Sequence, residues 1–363
     1  MLIVIDARES GTSTGRYVDK LIEYIAKINP DYDFNILTTP KRVEYIKSIA
    51  PKYYVQATGS KEFSFDEQLK FLKEIKDLDA DLVHFCMVQQ PILYRKPVVT
   101  TIHDLTTARF NNPAKNPVVF KVKQFIYKWV IKIAASKSLE VITPSNYVKE
   151  DLMDFSHQPA KKFHVTYESA DKIKGKAEPV KKLVGKKFLM YTGRPTPHKN
   201  LDRLIEAYEL IKIKYPDLYL VLAGKKDFNY EQTEKAVKAK GIKNVVFTDF
   251  VSEGELRWLY EHCEAYVVPS LSEGFGLPGL EAMIHGAPVI SSNATCLPEI
   301  YGNAAQYFDP LNIEDMADSI NKVLSDSRLR DYLVERGFKQ VEKYSWRRMA
   351  EETLKVYEKA LKS

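Results

Sequence analysis

Short apolar runs alternate with longer amphipathic stretches along the chain, and this alternation constrains the fold more than any other feature of the sequence. Strands buried on both faces of a parallel sheet read as continuous apolar runs, and the helices that connect them carry one apolar face. In the first half the pattern predicts strands at Leu2–Ile5, Phe34–Thr38, Leu82–Phe85, Val98–Ile102 and Val141–Thr143, with helices at Gly15–Ile28 and Lys115–Ala135. An α/β protein built on parallel sheets is therefore expected.

The second half repeats the pattern with clearer strands, each leading into a turn and a helix. These strands are predicted at Phe188–Thr192, Leu218–Ala223, Val245–Phe247, Ala265–Val268 and Val289–Ser291. Because 363 residues exceed one ordinary core, we expect two doubly wound domains, joined at the lysine-rich segment Ser169–Lys187. Such domains bind ligands at the carboxyl ends of their strands, so a cleft that both domains face is the expected binding site.

Composition and charge exclude several classes of protein. The chain is 45% hydrophobic and 28% charged, with a formal net charge of +6, which suits anionic ligands such as phosphates. No nucleic-acid-binding signature is present, so no nucleic-acid partner is expected. The single, scattered Cys86, Cys263 and Cys296 argue against disulfides and zinc. No signal-peptide pattern or apolar run of roughly 18 to 20 residues occurs. We expect a cytoplasmic protein, at most peripheral on the inner face of the cell membrane.

The segment SLSEGFGLPGLEAMIHGAPVI follows the predicted strand Ala265–Val268. Gly276 permits unusual backbone dihedrals, and Pro278 suits the first helical residue. Amides around Phe275, Gly276 and Leu277 would then point outward at a helix N-terminus. That arrangement binds a phosphate or a sugar oxygen.

Two glutamates flank this turn. Glu273 precedes it, and Glu281 is expected in the first helical turn. A carboxylate accepts hydrogen bonds from paired sugar hydroxyls and stabilises positive charge at an anomeric carbon. For either glutamate alone, a loop charge or a partner of the helix dipole is the commoner explanation.

A pair of cations lies on a second strand-to-helix loop. The segment YTGRPTPHKN places Arg194 and Lys199 just after the strand Phe188–Thr192, at the ligand-binding edge of the sheet. Two cations there can neutralise a diphosphate leaving group without a metal. Such a pair is often only solvated surface charge, but its occurrence with the glutamate segment in one domain favours the functional interpretation.

Together these motifs resemble the donor-binding domain of the retaining GT-B glycosyltransferases of family 4. The GR(x4)K element, EGFGLPGLE and the downstream GAPVI, LPEI and FDP occur in the family's order. The resemblance implies a GT-B fold of two Rossmann-like domains. It also implies that Arg194 and Lys199 hold the donor diphosphate and that Glu281 binds the ribose hydroxyls.

The same resemblance assigns the remaining donor contacts. It implies that Glu273 is a catalytic residue that holds the transferred sugar with the amides of Phe275 and Gly276, next to Leu277. Val251 lies where the family places its base-contacting loop, although an apolar residue at a strand end explains Val251 equally well.

Two elements of the first half match the family as well. ARESGTSTGRYV resembles its glycine loop, which implies a donor contact at Gly15, but the common form has glycine where this chain has Ser13. In TIHDL, His103 matches a histidine that the family places near the transferred sugar, and it counts as the second catalytic candidate. A lone histidine is more often a structural residue satisfied by local hydrogen bonds.

The stretch from Leu105 to Leu139 contains no acidic residue, and the helix expected at 115–137 is rich in lysine. Val118, Val122, Phe125, Trp129 and Ile133 form one apolar stripe at helical spacing. An ordinary domain helix with this stripe buried is the commoner explanation. Peripheral contact with an anionic membrane is the alternative.

The resemblance implies an acceptor-binding domain at 1–170, a nucleotide-sugar-binding domain at 171–340 and a helix at 341–363 that crosses back to the first. The implied activity is retaining, metal-independent transfer of a hexose, with GDP-mannose favoured over a UDP-sugar. The expected acceptor is a glycan or a lipid-linked sugar in cell-surface polysaccharide synthesis. No cofactor is expected. A nucleotide-sugar epimerase and a non-catalytic nucleotide-sugar-binding protein are the alternatives.

Overall fold

The computed structural model describes residues 1–12, 14–60, 64–111 and 116–363, except the side chain of Pro117. The strands in those residues are β1 (Leu2–Asp6), β2 (Asp33–Thr38), β3 (Tyr54–Ala57), β4 (Leu82–Phe85), β5 (Val98–Thr101), β6 (Glu140–Thr143), β7 (Phe163–Val165), β8 (Phe188–Thr192), β9 (Tyr219–Ala223), β10 (Val245–Phe247), β11 (Ala265–Val268), β12 (Val289–Ser292) and β13 (Ala305–Phe308). The helices are α1 (Gly15–Ile28), α2 (Val43–Ile49), α3 (Leu72–Asp77), α4 (Thr106–Arg109), α5 (Pro117–Lys137), α6 (Asn146–Ser156), α7 (Leu201–Lys214), α8 (Phe228–Ala239), α9 (Glu253–His262), α10 (Leu277–Ile284), α11 (Leu297–Tyr301), α12 (Ile313–Ser325), α13 (Ser327–Val341) and α14 (Trp346–Leu361).

The strands form two sheets in which every recorded pairing is parallel. The first sheet has the order β3-β2-β1-β4-β5-β6-β7, and the second has the order β10-β9-β8-β11-β12-β13. Within each sheet, six strands follow the 3-2-1-4-5-6 order of a dinucleotide-binding Rossmann fold. The direction of winding reverses between β1 and β4 in the first sheet and between β8 and β11 in the second. Ligands of this fold bind at the carboxyl ends of these two strand pairs.

The chain divides into two compact units, one for each sheet. The first comprises residues 1–108, 122–168 and 345–363, and the second comprises residues 109–121 and 169–344. Helix α14 therefore belongs to the first unit, where it packs against α1 and the strands β4, β5 and β6. Its Tyr357 hydroxyl lies 2.6 Å from Nδ1 of the fully buried His84 in β4, which ties the last helix to the first sheet.

Most predicted strands agree with the structure to within one residue at each end. Three strands were not predicted, namely β3, β7 and β13, and all three lie at an edge of their sheet. The sequences of these strands explain this, because each short strand contains a polar residue, namely Gln56, His164 or Gln306. They therefore lack the continuous apolar run that predicts a buried strand, whereas the edge strand β10 has one and was predicted.

Helix α5 differs from the commoner expectation. The face buried in the first unit carries Ile131, Ala134 and Ala135, whereas the predicted stripe is mostly exposed to solvent. Phe125 is 73% exposed and Trp129 is 52% exposed. The interpretation of this stripe as the buried face of an ordinary helix is wrong, because Ile131, Ala134 and Ala135 of the last turns form the buried face instead. Lys115 lies outside the described residues.

Across the described ranges, none of the helices combines the length and the apolar character that crossing a membrane requires.

Candidate active site

The strands β8 and β11 are hydrogen-bonded neighbours in the second sheet, and they flank the point where its winding reverses. Residues 193–200 follow β8 and lead into α7, and residues 269–276 follow β11 and lead into α10. Because the carboxyl ends of parallel strands meet at one edge of a sheet, the two loops lie side by side. The predicted cation loop and the predicted glutamate loop are these two loops.

Lys199 and Glu273 are in direct contact across the two loops. Nζ of Lys199 lies 2.6 Å from Oε1 of Glu273, and both side chains are mostly buried. The hydroxyl of Ser270 donates to the same carboxylate oxygen at 2.6 Å. Burial alone would raise the pKa of Glu273, but the charge and hydrogen bond of Lys199, with the Ser270 bond, outweigh it and lower this pKa. Glu273 is therefore an ionised acceptor held in one orientation.

Asn200 joins the loops that carry these residues. Its side-chain amide donates to the carbonyl oxygens of Pro269 at 3.0 Å and Pro310 at 2.8 Å. The backbone of Asn200 is left-handed, with φ of 60°. Its side chain makes no capping hydrogen bond to α7, because the amide is used between loops. A second link runs from the Leu271 amide to the His198 carbonyl at 2.7 Å.

Helix α10 begins directly after the glutamate loop. Gly276 precedes it in the left-handed region, with φ of 91°, and its carbonyl accepts a hydrogen bond from Tyr301 at 2.5 Å. The ring of Phe275 is buried and packs edge-on against Tyr344, with 5.5 Å between ring centroids. The Phe275 side chain thus belongs to the core, and only its backbone can take the ligand-binding role that the sequence predicts for Phe275, Gly276 and Leu277.

Glu281 lies in α10, but not in its first turn. The helix begins at Leu277, and no acidic residue falls in its first turn. Glu281 is half-buried, and Oε2 of its carboxylate accepts a hydrogen bond from the Tyr260 hydroxyl at 3.2 Å. The expected position was wrong because one helical turn spans about 3.6 residues, which places Glu281 in the second turn.

Two other predicted donor residues stand apart from the Lys199–Glu273 contact. Arg194 lies in the same loop as Lys199, with its side chain exposed to solvent. Val251 is half-buried and follows β10, which is the edge strand two positions from β8. The structure therefore brings Lys199 and Glu273 together and leaves Val251 on a separate loop.

The candidates of the first unit follow the strands β1 and β5. Gly15 is the first residue of α1, and an added Cβ there would lie 2.0 Å from the carbonyl oxygen of Glu9. Close packing of the loop thus requires glycine at this position, whatever its role towards a ligand. Ser13, the departure from the family pattern, lies outside the described residues. His103 follows β5, and its Nδ1 lies 3.3 Å from a carboxylate oxygen of Glu168.

Sequence reasoning missed three residues that shape these sites. Ser270 orients Glu273, Asn200 joins the loops, and Glu168 pairs with His103. The only signal for Ser270 is its place three residues before Glu273 after a predicted strand. Glu168 gave no signal, because it follows β7, which the sequence did not predict.

The described residues contain no group of three or more histidine, cysteine, aspartate and glutamate side chains arranged to hold a metal ion. Cys86, Cys263 and Cys296 are buried free thiols.

Comparison with known proteins identifies the family of this chain. The model for "Glycosyltransferase Family 4" matches residues 14–171, and the model for "Glycosyl transferases group 1" matches residues 172–340. The O-antigen chain mannosyltransferase B of Escherichia coli is 30% identical over 275 residues, which cover 71% of this chain and 69% of that protein. The serotype-specific mannosyltransferase WbdA of Escherichia coli is 31% identical over 240 residues, or 64% of this chain. Those residues cover only 29% of WbdA, so this chain spans less than a third of that relative.

The solved structures agree in fold. Anabaena HepE, crystallised with UDP and glucose, matches with a TM-score of 0.75 and 16% identity, over 99% of this chain and 100% of that one. This likeness and the two parallel α/β sheets confirm the predicted GT-B fold class. The chain belongs to glycosyltransferase family 4 of the glycosyl transferases group 1, and it is a glycosyltransferase.

Proposed function

We propose that this enzyme transfers a hexose, with retention of anomeric configuration and without a metal ion, from a nucleoside-diphosphate sugar to a glycan or lipid-linked acceptor. The product would enter a cell-surface polysaccharide, and the reaction would take place in the cytoplasm or on the inner face of the cell membrane. GDP-mannose is the favoured donor, because the matching relatives include mannosyltransferases of O-antigen chains. A UDP-sugar is the alternative, since HepE, which shares the fold, binds UDP-glucose.

The contact between Lys199 and Glu273 is the observation that carries this proposal. It places a cation and an ionised carboxylate at the switch point of the second sheet, beside the start of α10. In the proposed reaction, Arg194 and Lys199 stabilise the departing diphosphate. Glu273 accepts hydrogen bonds from the transferred sugar and stabilises positive charge at its anomeric carbon. Glu281 accepts hydrogen bonds from the ribose hydroxyls, and His103 positions the sugar.

A thermal-shift panel of nucleotide sugars tests the donor. A ligand that binds only the folded state raises the melting temperature by mass action. We expect GDP-mannose to give the largest shift and to support transfer in the presence of EDTA, with the product retaining the donor's anomeric configuration by proton NMR. A requirement for a divalent cation or an inverted product contradicts the mechanism. Conversion of the donor without an acceptor is the epimerase outcome.

The variants R194A, K199A and E281Q test the donor-binding roles. Losing a hydrogen bond to a charged group costs about 1.5–3 kcal/mol, so each variant should raise the donor Kd about tenfold to a hundredfold. The matched control is K187A, since Lys187 is an exposed lysine just before β8, at the opposite end of that strand. Near-wild-type binding and turnover in all three variants contradict the assignment.

A membrane contact through α5 is the second part of the proposal. Val122, Phe125, Ile126 and Trp129 are all more than half exposed on this helix. Lysines lie beside them at positions 121, 123, 128 and 132, and no acidic residue falls between Leu105 and Leu139. Exposed aromatic and aliphatic side chains among lysines fit a bilayer with anionic headgroups.

Vesicle sedimentation tests this contact. The wild-type protein should bind vesicles containing phosphatidylglycerol and release them as salt rises, because the lysines act electrostatically. The double variant F125S/W129S should bind several-fold less. The control is I213S, which removes an apolar side chain that is 84% exposed on α7. Equal binding by the double variant and the control contradicts the proposed surface.

A further inference from the structure

Both ring nitrogens of His103 face hydrogen-bond acceptors. Nδ1 lies 3.3 Å from a carboxylate oxygen of Glu168, and Nε2 lies 3.1 Å from the backbone carbonyl oxygen of Cys86. The side chains of His103 and Glu168 are 12% and 7% exposed, so water does not readily replace either acceptor. A neutral imidazole donates from one nitrogen only and would turn the lone pair of the other towards an oxygen. Only the doubly protonated imidazolium satisfies both contacts.

The charged surroundings favour the same state. Burial lowers the pKa of His103, but the hydrogen bond and charge of Glu168, the Cys86 carbonyl and the charge of Asp104 outweigh it, so the net pKa is raised. A second histidine, His84, lies in the neighbouring strand β4, and burial together with the charge of His103 lowers its pKa to about 3. His84 is therefore neutral near pH 7.

Two further titratable groups near His103 are uncharged at neutral pH. Burial raises the pKa of the Tyr17 phenol in α1 and of the Cys86 thiol after β4. The ring of Tyr17 stands edge-on to His103, with 4.8 Å between centroids and an interplanar angle of 79°. His84, Tyr17 and Cys86 therefore add no positive charge beside His103, and Glu168 is its buried acidic partner.

We propose that Glu168 is a positioning residue of the transfer reaction, which holds His103 as an imidazolium and thereby makes it a fixed cation that cannot accept a proton. This inference rests on the proposed function, in which His103 positions the transferred sugar. Held in this way, His103 presents a fixed positive charge to a hydroxyl or phosphate oxygen of its ligand, because both of its N–H groups are already committed to Glu168 and to the Cys86 carbonyl. It is excluded as the general base that deprotonates the acceptor hydroxyl.

The pH dependence of the variant E168Q tests this role. A glutamine keeps an oxygen that can accept from Nδ1 but removes the charge. In the wild type, kcat/KM should fall as pH rises through the pKa of His103. In E168Q this alkaline fall should begin about one pH unit lower or more, as expected for loss of an adjacent opposite charge. A displacement of one pH unit lowers kcat/KM about tenfold at any pH above the His103 pKa of both proteins. A general base at position 103 would instead give activity that rises with pH.

The titration of the His103 ring by proton NMR, assigned with an H103Q variant, measures the same pKa without any turnover. Its midpoint should lie above 6.5 in the wild type, fall in E168Q and be largely restored in E168D. The matched control is E140Q, because Glu140 is another buried carboxylate paired with a histidine, His164, at 2.6 Å. That variant should leave both the alkaline limb and the His103 titration unchanged.

The outcomes separate this inference from the proposed function. If the wild type transfers no sugar from any donor, the proposed function fails while the NMR titration still reports on the pair. If the wild type is active, but His103 of E168Q titrates as in the wild type and E168Q turns over equally fast at every pH, the role of Glu168 is overturned. Should E168Q not fold, a wild-type His103 midpoint at or below 6.5 overturns it equally.

Discussion

At some positions of this chain, close packing restricts which residue can be present as much as chemistry does. Gly279, the third residue of α10, packs against the buried ring of Tyr301, and an added Cβ would lie 2.3 Å from its hydroxyl oxygen. The same hydroxyl donates to the carbonyl of Gly276, at the turn that follows Glu273. The absence of a side chain at Gly279 thus lets α10 and α11 pack closely, next to the turn that follows Glu273.

We expect G279A to destabilise the second unit by about 1–3 kcal/mol, because overpacking forces the Tyr301 ring or the helix to shift. Donor binding should weaken as well, since Gly276 shares this contact. Urea unfolding and a donor titration measure the two effects. The control is G175A, where an added Cβ meets nothing within 4 Å. Equal stability of G279A and G175A contradicts this account of the packing.

At the scale of elements, local capping signals position the helices around the second sheet. Ser252 begins α9 with a capping box, in which its hydroxyl accepts from the Glu255 amide and the Glu255 side chain accepts from the Ser252 amide. Helix α9 then carries Trp258, which stacks on Phe188 of β8 at 6.0 Å between centroids. The cap therefore supports the strand that precedes the cation loop.

The variant S252A should lower the free energy of unfolding by about 1 kcal/mol, the usual cost of losing an N-cap side chain. Turnover per folded molecule should stay close to that of the wild type, because Ser252 lies outside the candidate site. Chemical denaturation followed by tryptophan fluorescence measures the first effect. A variant with unchanged stability but altered donor affinity would show that this loop acts on the ligand instead.

At the scale of the whole molecule, the last helix completes the first unit. Residues 345–363 belong to the first unit, whose other segments are residues 1–108 and 122–168. Within this unit, the Tyr357 hydroxyl is hydrogen-bonded to the buried His84. His84 also bonds the Thr101 hydroxyl at 2.8 Å through Nε2. A neutral imidazole satisfies both contacts, because each hydroxyl can donate or accept. Contacts between residues so distant in sequence make the stability of this unit depend on the chain's end.

This arrangement predicts loss of stability in acid. Burial lowers the folded-state pKa of His84 from its ordinary value of 6.5 to about 3. The contribution of His84 to the free energy of unfolding is present above pH 6.5 and is lost as pH falls towards 3, because only the unfolded chain takes up the proton in this range. The expected slope is up to about 1.4 kcal/mol per pH unit. His103, whose pKa is raised, contributes with the opposite sign, and its share is lost as pH rises.

Urea unfolding at pH 7, 6 and 5 measures this slope, and an H84N variant should flatten it. The variant should also be less stable than the wild type at pH 7, since Asn cannot reproduce both hydrogen bonds. An unchanged slope in H84N would assign the acid sensitivity to other groups.

The sequence by itself determined the parallel α/β architecture, since strands buried on both faces must be continuous apolar runs. It also determined the loops that hold the candidate site, because side chains after β8 and β11 must meet at one sheet edge. The turn at Gly276 and the order of the family's motifs could also be predicted, because both depend on local sequence alone.

Only the tertiary structure decided which side chains meet. The Lys199–Glu273 pair, the Asn200 links between loops and the Glu168–His103 ion pair join residues from 65 to 110 positions apart, and no local pattern encodes such distances. The edge strands β3, β7 and β13 were missed because a polar residue interrupts the apolar run of each. The exposed stripe of α5 was misjudged because helical periodicity marks an apolar face but not whether the interior has room for it.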